Sequence, residues 1–300
     1  MPYKQSPPQE NNTVKRKKKN AVTAVSVLAA ALITVNIIVS NFALFTKRYE
    51  TAADNAPDVR IAFASDLHIG ETGISPERIA NKIKKEEPDI ICLAGDIFSG
   101  GGDALRETFD FLTALADIAP VYFSLGNHEL DMIKGGYDGF IDDIEKVGVT
   151  VLNDEYRDII INGAALRIGG MLDDVFHFYY TKKAFAESPR ADFLRRFSDT
   201  ELYTVMLCHR SDSYNNYKNL GVKIADLILS GHTHGGVVRV PFGKAVYVPD
   251  MGWFPELSYG RVKKTESEII VSSGTAAYGC LLRFNNPCEI CVAELKGNAK

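Results

Sequence analysis

Five of the chain's six histidines stand in four short clusters: Asp66-Leu67-His68, Asn127-His128, Cys208-His209 and His232-Thr233-His234. Asp96, in Gly95-Asp96, lies 30 residues after Asp66 and 31 before Asn127. A step of about 30 residues is one strand-helix-strand unit. That spacing brings Asp66, Asp96 and Asn127 to one rim of a sheet, where open α/β sheets place their sites. Two carboxylates, an amide oxygen and the imidazoles of His68, His209, His232 and His234 form the ligand inventory of a two-metal centre. Such a donor mixture favours Mn, Fe or Zn over Ca or Mg and does not choose among them.

The chemistry that needs this inventory is phosphoester hydrolysis. A phosphoester repels hydroxide by its own charge, and its leaving alkoxide must be stabilised. Two cations about 3.5 to 4 Å apart answer both needs by activating a water and clamping the phosphate oxygens during in-line displacement. A lone Asp-x-His is ordinarily structural. Here five polar clusters each close an apolar run, and burial without a shared partner would be costly for all of them.

The elements around the clusters alternate. Val59 to Ala64, Asp89 to Ala94 and Val121 to Leu125 are apolar runs that each end at a polar cluster, as central strands do. Between them, Ser75-Pro76 starts a helix with Ile79 and Ile83 on one face, and Leu105, Phe109, Leu112 and Ala116 repeat at helical spacing. The first half is therefore a parallel βαβαβ unit. In the second half, Asn162-Gly163 between Asp158–Ile161 and Ala164–Ile168 predicts a hairpin. A helical stretch near 181–197 follows, then short strands at Tyr203–Leu207, Leu227–Ser230, 236–240, 245–248, 268–272 and 289–295. The pattern predicts an α/β domain of two packed sheets with helices outside and the clusters converging at one end.

Composition divides the chain unevenly. Residues 1–20 hold Lys4, Lys15, Arg16, Lys17, Lys18 and Lys19 against Glu10, so 28 of the 34 basic and 37 of the 38 acidic residues fall in the remainder, net −9. A domain so acidic is a poor non-specific nucleic-acid binder, and no nucleic-acid partner is expected. Residues 21–45 carry no charge, whereas a signal peptide core is about 7 to 15 residues and a bilayer span needs about 20. The sequence thus predicts a basic tail over 1–20, an uncleaved transmembrane anchor over 21–45, a linker over 46–56 and a catalytic domain over 57–297. Residues 1–14 are expected to lack fixed structure. The basic cluster should stay inside and place the domain outside the cytoplasmic membrane. Five cysteines are too few and uneven for a disulfide framework, and Cys288 and Cys291 are expected to be ordinary strand cysteines.

The clusters, in this order, resemble the calcineurin-like metallophosphoesterases, whose pattern is D-x-H, GD, GNH followed by D or E, a later H, and GHTH or GHSH. The likeness covers residues 57–295. Pro249-Asp250-Met251-Gly252-Trp253-Phe254-Pro255 and Leu282-Arg283-Phe284-Asn285-Asn286-Pro287 are similar to the exported, membrane-anchored bacterial branch. The resemblance implies a four-layer α/β/β/α sandwich, preceded here by one transmembrane helix, and two divalent metals. Asp66, His68 and His234 would bind the first, Asn127, His209 and His232 the second, and Asp96 would bridge them. His128 would stay metal-free, to stabilise the phosphate or protonate the leaving group. The implied activity is a phosphodiesterase or pyrophosphatase acting on a lipid-linked or cell-envelope phosphoester. A phosphomonoesterase and an inactive scaffold of the same fold are the alternatives, and no obligate protein partner is inferred.

The chain departs from the pattern at several points. Ile97-Phe98-Ser99-Gly100-Gly101-Gly102 replaces the further acidic residue common after GD. Arg210-Ser211 stands where a proline is common, and Arg210 reads either as a phosphate grip or as an ion-pair partner. Lys15-Arg16-Lys17 is not a twin-arginine signal. Glu129 reads as a residue behind the ligands or as a structural one. His177, within Asp173–Tyr180, is a candidate substrate wall, with packing favoured. Trp253 and Phe254 are likewise expected to pack, with contact to substrate or membrane as the second reading.

Overall fold

The computed structural model of the protein describes residues 12–297 except 54, 72, 174–181, 220, 222, 242 and 277–281. In chain order, helix α1 (Asn12–Phe42) leads into β1 (Leu44–Ala53) and β2 (Val59–Ala64). The parallel unit continues through α2 (Pro76–Lys84), β3 (Ile90–Ala94), α3 (Asp103–Ala116) and β4 (Val121–Ser124). Then come α4 (Asn127–Lys134), α5 (Phe140–Lys146), β5 (Val149–Val151), β6 (Glu155–Ile161) and β7 (Ala164–Met171). Next are α6 (Lys182–Ala186), α7 (Pro189–Ser198), β8 (Tyr203–Arg210), α8 (Ser213–Asn219) and β9 (Leu227–Gly231). The chain closes with β10 (Tyr247–Val248), β11 (Gly252–Trp253), β12 (Gly260–Lys263), β13 (Glu268–Val271) and β14 (Cys288–Gly297).

Two six-stranded sheets form, ordered β1-β14-β2-β3-β4-β5 and β12-β13-β9-β8-β7-β6. Strand alternation shows the layering. Ile61, Phe63, Ile90 and Cys92 pack with Leu166, Ile168, Val205, Leu207, Leu227 and Leu229 between the sheets. Their neighbours Ala62, Ala64, Ile91 and Leu93 point the other way and pack with Ile79, Ile83, Phe111 and Leu112 of the helices. A third cluster joins Phe193, Leu194 and Phe197 to the outer face of the second sheet through Met206, Ile228 and Ile269. Three apolar layers separate four structural ones, so the fold is the α/β/β/α sandwich. β2, β3 and β4 run parallel, and the Asn162-Gly163 turn, with both residues at positive φ, closes the β6–β7 hairpin.

Some details correct the sequence reading. Residues 46–56 do not act as a free linker: β1 pairs in parallel with β14 from Leu44↔Cys288 to Ala53↔Gly297. The segment is polar because it is an edge strand, burying only Tyr49 and Thr51 and presenting charge outward, which protects such an edge. The uncharged run ends in this strand, with the helix stopping at Phe42, and the helix begins at Asn12, inside the stretch expected to lack structure. The strand expected at 236–240 is an irregular strip held by bridges Val238↔Phe284 and Arg239↔Ala245, and only Tyr247–Val248 of 245–248 forms a strand. Cys288 and Cys291 are buried, unpaired and in different apolar layers, Cys288 against the helices and Cys291 between the sheets.

Candidate metal centre

Each oxygen ligand candidate sits in the turn leaving a strand of the first sheet: Asp66 after β2, Asp96 after β3 and Asn127 after β4. Asp66 is 0% exposed and Asp96 is 2% exposed. Asp66, His68, Asp96, His232 and His234 all have positive φ, a costly conformation for residues with a Cβ, and such strain collects at functional sites. Glycines make room for the carboxylates. A Cβ on Gly126 would fall 2.3 Å from Asp96 Oδ1, and one on Gly231 would fall 2.2 Å from Asp66 Oδ2.

Three groups of ligand atoms converge: Asp66, His68 and His234; His68, Asp96 and His128; and Asp96, His209 and His232, each within 4.8 Å. Asp96 Oδ2 lies 3.2 Å from His209 Nε2 and 3.7 Å from His68 Nε2. Asp66 Oδ1 lies 3.7 Å from His234 Nε2. Asn127 stands at the first turn of α4, and its Oδ1 is buried without a hydrogen-bond partner. Both ring nitrogens of buried His68 are equally unpartnered. Buried polar atoms without partners are rare, and here they surround a set of N and O donors that suits a divalent cation.

His209, His232 and His234 each have one ring nitrogen fixed by an oxygen acceptor, as metal-binding histidines do. His209 Nδ1 is 2.8 Å from the Ala94 carbonyl and His234 Nδ1 is 3.2 Å from the Ala276 carbonyl. His232 Nε2 meets Asp250 Oδ2 at 3.0 Å, which leaves its Nδ1 facing His209 Nε2 at 3.3 Å. Burial, then repulsion from His234, pushes His68 down to about 3. Burial followed by His209 and Arg210 pushes His232 down to about 3, so both rings present lone pairs at neutral pH. For His209 burial pulls downward, yet the adjacent Asp96 carboxylate outweighs it and lifts the ring to about 10. The pair attracts positive charge between its atoms.

The residues behind the ligands were less visible in the sequence. Glu129 is fully buried and accepts from the amides of Asp96 (2.9 Å), Ile97 (2.8 Å), Phe98 (3.1 Å) and Gly126 (2.8 Å), fastening two ligand loops together. Arg210 pairs with Asp173 at 3.2 Å and with Asp250 at 3.0 Å, so the ion-pair reading holds. Asp250 was not singled out as a site residue; its place in the Pro249–Pro255 motif was the available signal. Arg283, 1% exposed, donates to the carbonyls of Asn286 and Ser273, both at 2.7 Å, and of Ala276. Asn286 in turn donates to the His234 carbonyl at 2.7 Å. His128 Nδ1 is 3.4 Å from Ser99 Oγ, which donates to Glu71 at 2.6 Å. His177 lies outside the described residues.

Residues 59–236 match the model of the calcineurin-like phosphoesterases. The chain belongs to this family. It is 28% identical over 262 residues to an Aquifex aeolicus metallophosphoesterase, covering 85% of this chain and 92% of that one. Phosphodiesterase YaeI of Escherichia coli is also 28% identical over 262 residues, covering 85% of this chain and 88% of its own length. A Caenorhabditis elegans protein with a metallophosphoesterase name is 29% identical over 259 residues; the match takes in 84% of this chain but 51% of that longer protein. Family membership and the phosphodiesterase name of one relative support a metal-dependent phosphoester hydrolase, and the convergent clusters support divalent metal binding.

Proposed function

We propose that the protein is a dinuclear metal-dependent phosphodiesterase or pyrophosphatase working at the outer face of the cytoplasmic membrane. The observation that carries this reading is the place of Asp96. Its carboxylate belongs at once to the group with His68 and to the group with His209 and His232, as a ligand shared by two cations must. Asp66, His68 and His234 would hold one cation, and Asn127, His209 and His232 the other. Bound there, two divalent ions would supply a water activated for attack and neutralise the phosphate oxygens.

The chain's own groups do the rest. Asp96 keeps the two sites in register, because its Oδ1 is fixed by the His128 amide at 2.9 Å while Oδ2 faces the imidazoles. His128 is half-buried beside His68, with ring centroids 4.4 Å apart, and is placed to protonate the departing oxygen. Ser99 and Glu71 orient its ring.

The phosphodiesterase name of the Escherichia coli relative favours diesters over monoesters. The outer location rests on Lys15–Lys19 in the first turns of an exposed helix, Val14–Phe42, whose remainder from Ala21 is uncharged and which is long and apolar enough to cross a bilayer. Turnover of bis-p-nitrophenyl phosphate and p-nitrophenyl phosphate with added Mn²⁺ tests the reaction class. Faster diester cleavage is expected; preference for the monoester would make it a phosphomonoesterase, and indifference to both would remove the hydrolase reading. Protease added to intact cells should digest the domain, and protection would place it inside.

A further inference from the structure

The end of α1 is bound into the catalytic domain. Asn36 Oδ1 accepts from the Asn285 amide at 2.7 Å, Ser40 Oγ from the Asn286 amide at 3.2 Å, and Asn41 Oδ1 from the Arg283 amide at 3.0 Å. From Ala21, just past the last lysine, the 15 residues before Asn36 rise only about 22 Å, short of a hydrocarbon core of about 30 Å. A membrane-spanning α1 therefore carries Asn36 to within about 8 Å of the outer edge of the hydrocarbon core and Asn41 to about that edge, and brings the 283–286 loop to the outer boundary with them.

Beside that loop lie three more extended strips, each hydrogen-bonded to the last. Phe284 and Val237 to Arg239 exchange backbone bonds, Val246 donates to Val238, and Phe254 donates to Val246. At about 4.8 Å per strip, the layer reaches roughly 15 Å from the helix. Eight large apolar side chains outside α1 are exposed among the described residues, and six sit on this layer: Leu282, Val238, Val240, Tyr247, Trp253 and Phe254. Trp253 is 71% exposed, Leu282 62% and Phe254 56%, so the aromatic pair does not pack as the sequence suggested. Exposed apolar side chains gathered on one layer mark an interaction site, Tyr247, Trp253 and Phe254 stand ring to ring, and Trp and Tyr favour the membrane interface.

An open cleft of about 510 Å³ adjoins the layer, lined by Lys47, Arg239, Lys244, Tyr259 and Asn285 among others. None of its three cations forms an ion pair among the described residues. Arg239 is 6% exposed and stacked 3.5 Å over Tyr259, and its Nη1 is buried without a hydrogen-bond partner. Three cations, one of them a buried guanidinium with a free donor, suit a phosphate group.

We propose that this layer rests on the bilayer and that the Lys47–Arg239–Lys244 cleft holds the headgroup phosphate of an anionic phospholipid, which makes the catalytic domain itself interfacial. The proposal rests on the membrane-anchored reading of α1. It also refines the substrate class. Asp250, the partner of His232, lies in the turn between β10 and β11 that carries Trp253, so the metal centre opens beside the lipid surface and would draw its phosphoester from there.

Trp253 is the chain's only tryptophan and reports its own depth. The full chain is placed in nanodiscs containing either brominated phosphatidylglycerol or brominated phosphatidylcholine at equal fraction. Trp253 should emit at short wavelength and lose roughly half its emission to the brominated phosphatidylglycerol, and less to the phosphatidylcholine. The exposed pair Lys47→Ser and Lys244→Ser should equalise the two lipids. Inorganic phosphate should leave the preference intact; loss of the preference on adding it would make the cleft a site for free phosphate and overturn the lipid assignment. Water-like emission, unquenched by either lipid in an incorporated chain, overturns the interfacial layer alone. Failure of the chain to enter nanodiscs overturns the anchor reading and this inference with it.

Discussion

The two halves of the candidate centre hold their ligands by opposite chemistry. On the first-sheet side the ligands are mainly oxygens, and backbone donors fix them: the His232 amide meets both oxygens of Asp66 at 2.8 and 3.0 Å, and the His128 amide meets Asp96. On the second-sheet side the ligands are imidazoles, and acceptors fix them: the carbonyls of Ala94 and Ala276 and the carboxylate of Asp250. Apart from His68, whose ring nitrogens have no hydrogen-bond partner, these ligand candidates spend part of their polar capacity on position and would keep part for a cation. The anchors also cross the sandwich, since a first-sheet carbonyl holds His209 and a second-sheet amide holds Asp66. Neither half can be arranged without the other, so the site forms only when the two sheets are packed.

The sharpest way to break this comparison is to remove the group common to both halves. Asp96→Ala should abolish metal-dependent turnover and lower bound metal, read by rate and by elemental analysis of the same sample; retention of both would refute its bridging role. Next in size is His128→Ala, expected to slow turnover by roughly 10² to 10⁴ with metal content kept. Because His128 also stands within 4.8 Å of His68 and Asp96, loss of metal in this variant would move it from proton donor to ligand.

The six His and Asp ligand candidates, all legible in the sequence, do come together, because a parallel strand ends at a fixed place in its turn and the 30-residue steps count strands. The layers were legible too, in the alternation of runs such as Ile61 to Ala64. What stayed hidden was support that depends on long-range packing. β1 reads as a linker because an edge strand spends its side chains on solvent. Asp250 reads only as one residue of the Pro249–Pro255 motif until the chain folds it back 18 residues onto His232. Glu129 was visible only as an acid of undecided use, since its four amide partners come from two loops that sequence spacing cannot align.

That role of Glu129 sharpens the account of the first-sheet side. Glu129→Ala strips an acceptor from four buried amides and should lower stability by about 3 kcal/mol, or roughly 6 to 12 °C in Tm for a domain of this size. Burial raises the pKa of this carboxyl, and its bonds to Phe98, Gly126 and Asp96 oppose that. Glu129→Gln keeps one acceptor oxygen and should recover part of the loss. Unchanged melting in the alanine variant would mean that the ligand loops hold themselves.

The smallest effect belongs to Asp250, whose exposed side chain meets His232 Nε2 on the second-sheet side. Its removal frees the His232 ring to turn, and loss of such a partner typically weakens metal binding about 10- to 100-fold. Asp250→Ala should therefore raise the metal concentration needed for half-maximal turnover by that factor, with little change in rate once metal saturates. Arg210→Ala is the control, because Arg210 shares the same carboxylate oxygen at 3.0 Å. If Asp250 served only the arginine, both variants would shift metal affinity equally. If it orients His232, the aspartate variant shifts it and the arginine variant shifts it less, since Asp250 still accepts from the ring. A metal titration of the two proteins side by side decides whether the imidazole half of the centre depends on this exposed carboxylate or is held chiefly by backbone, like the oxygen half, where Ser65 Oγ adds one side-chain donor to Asp66.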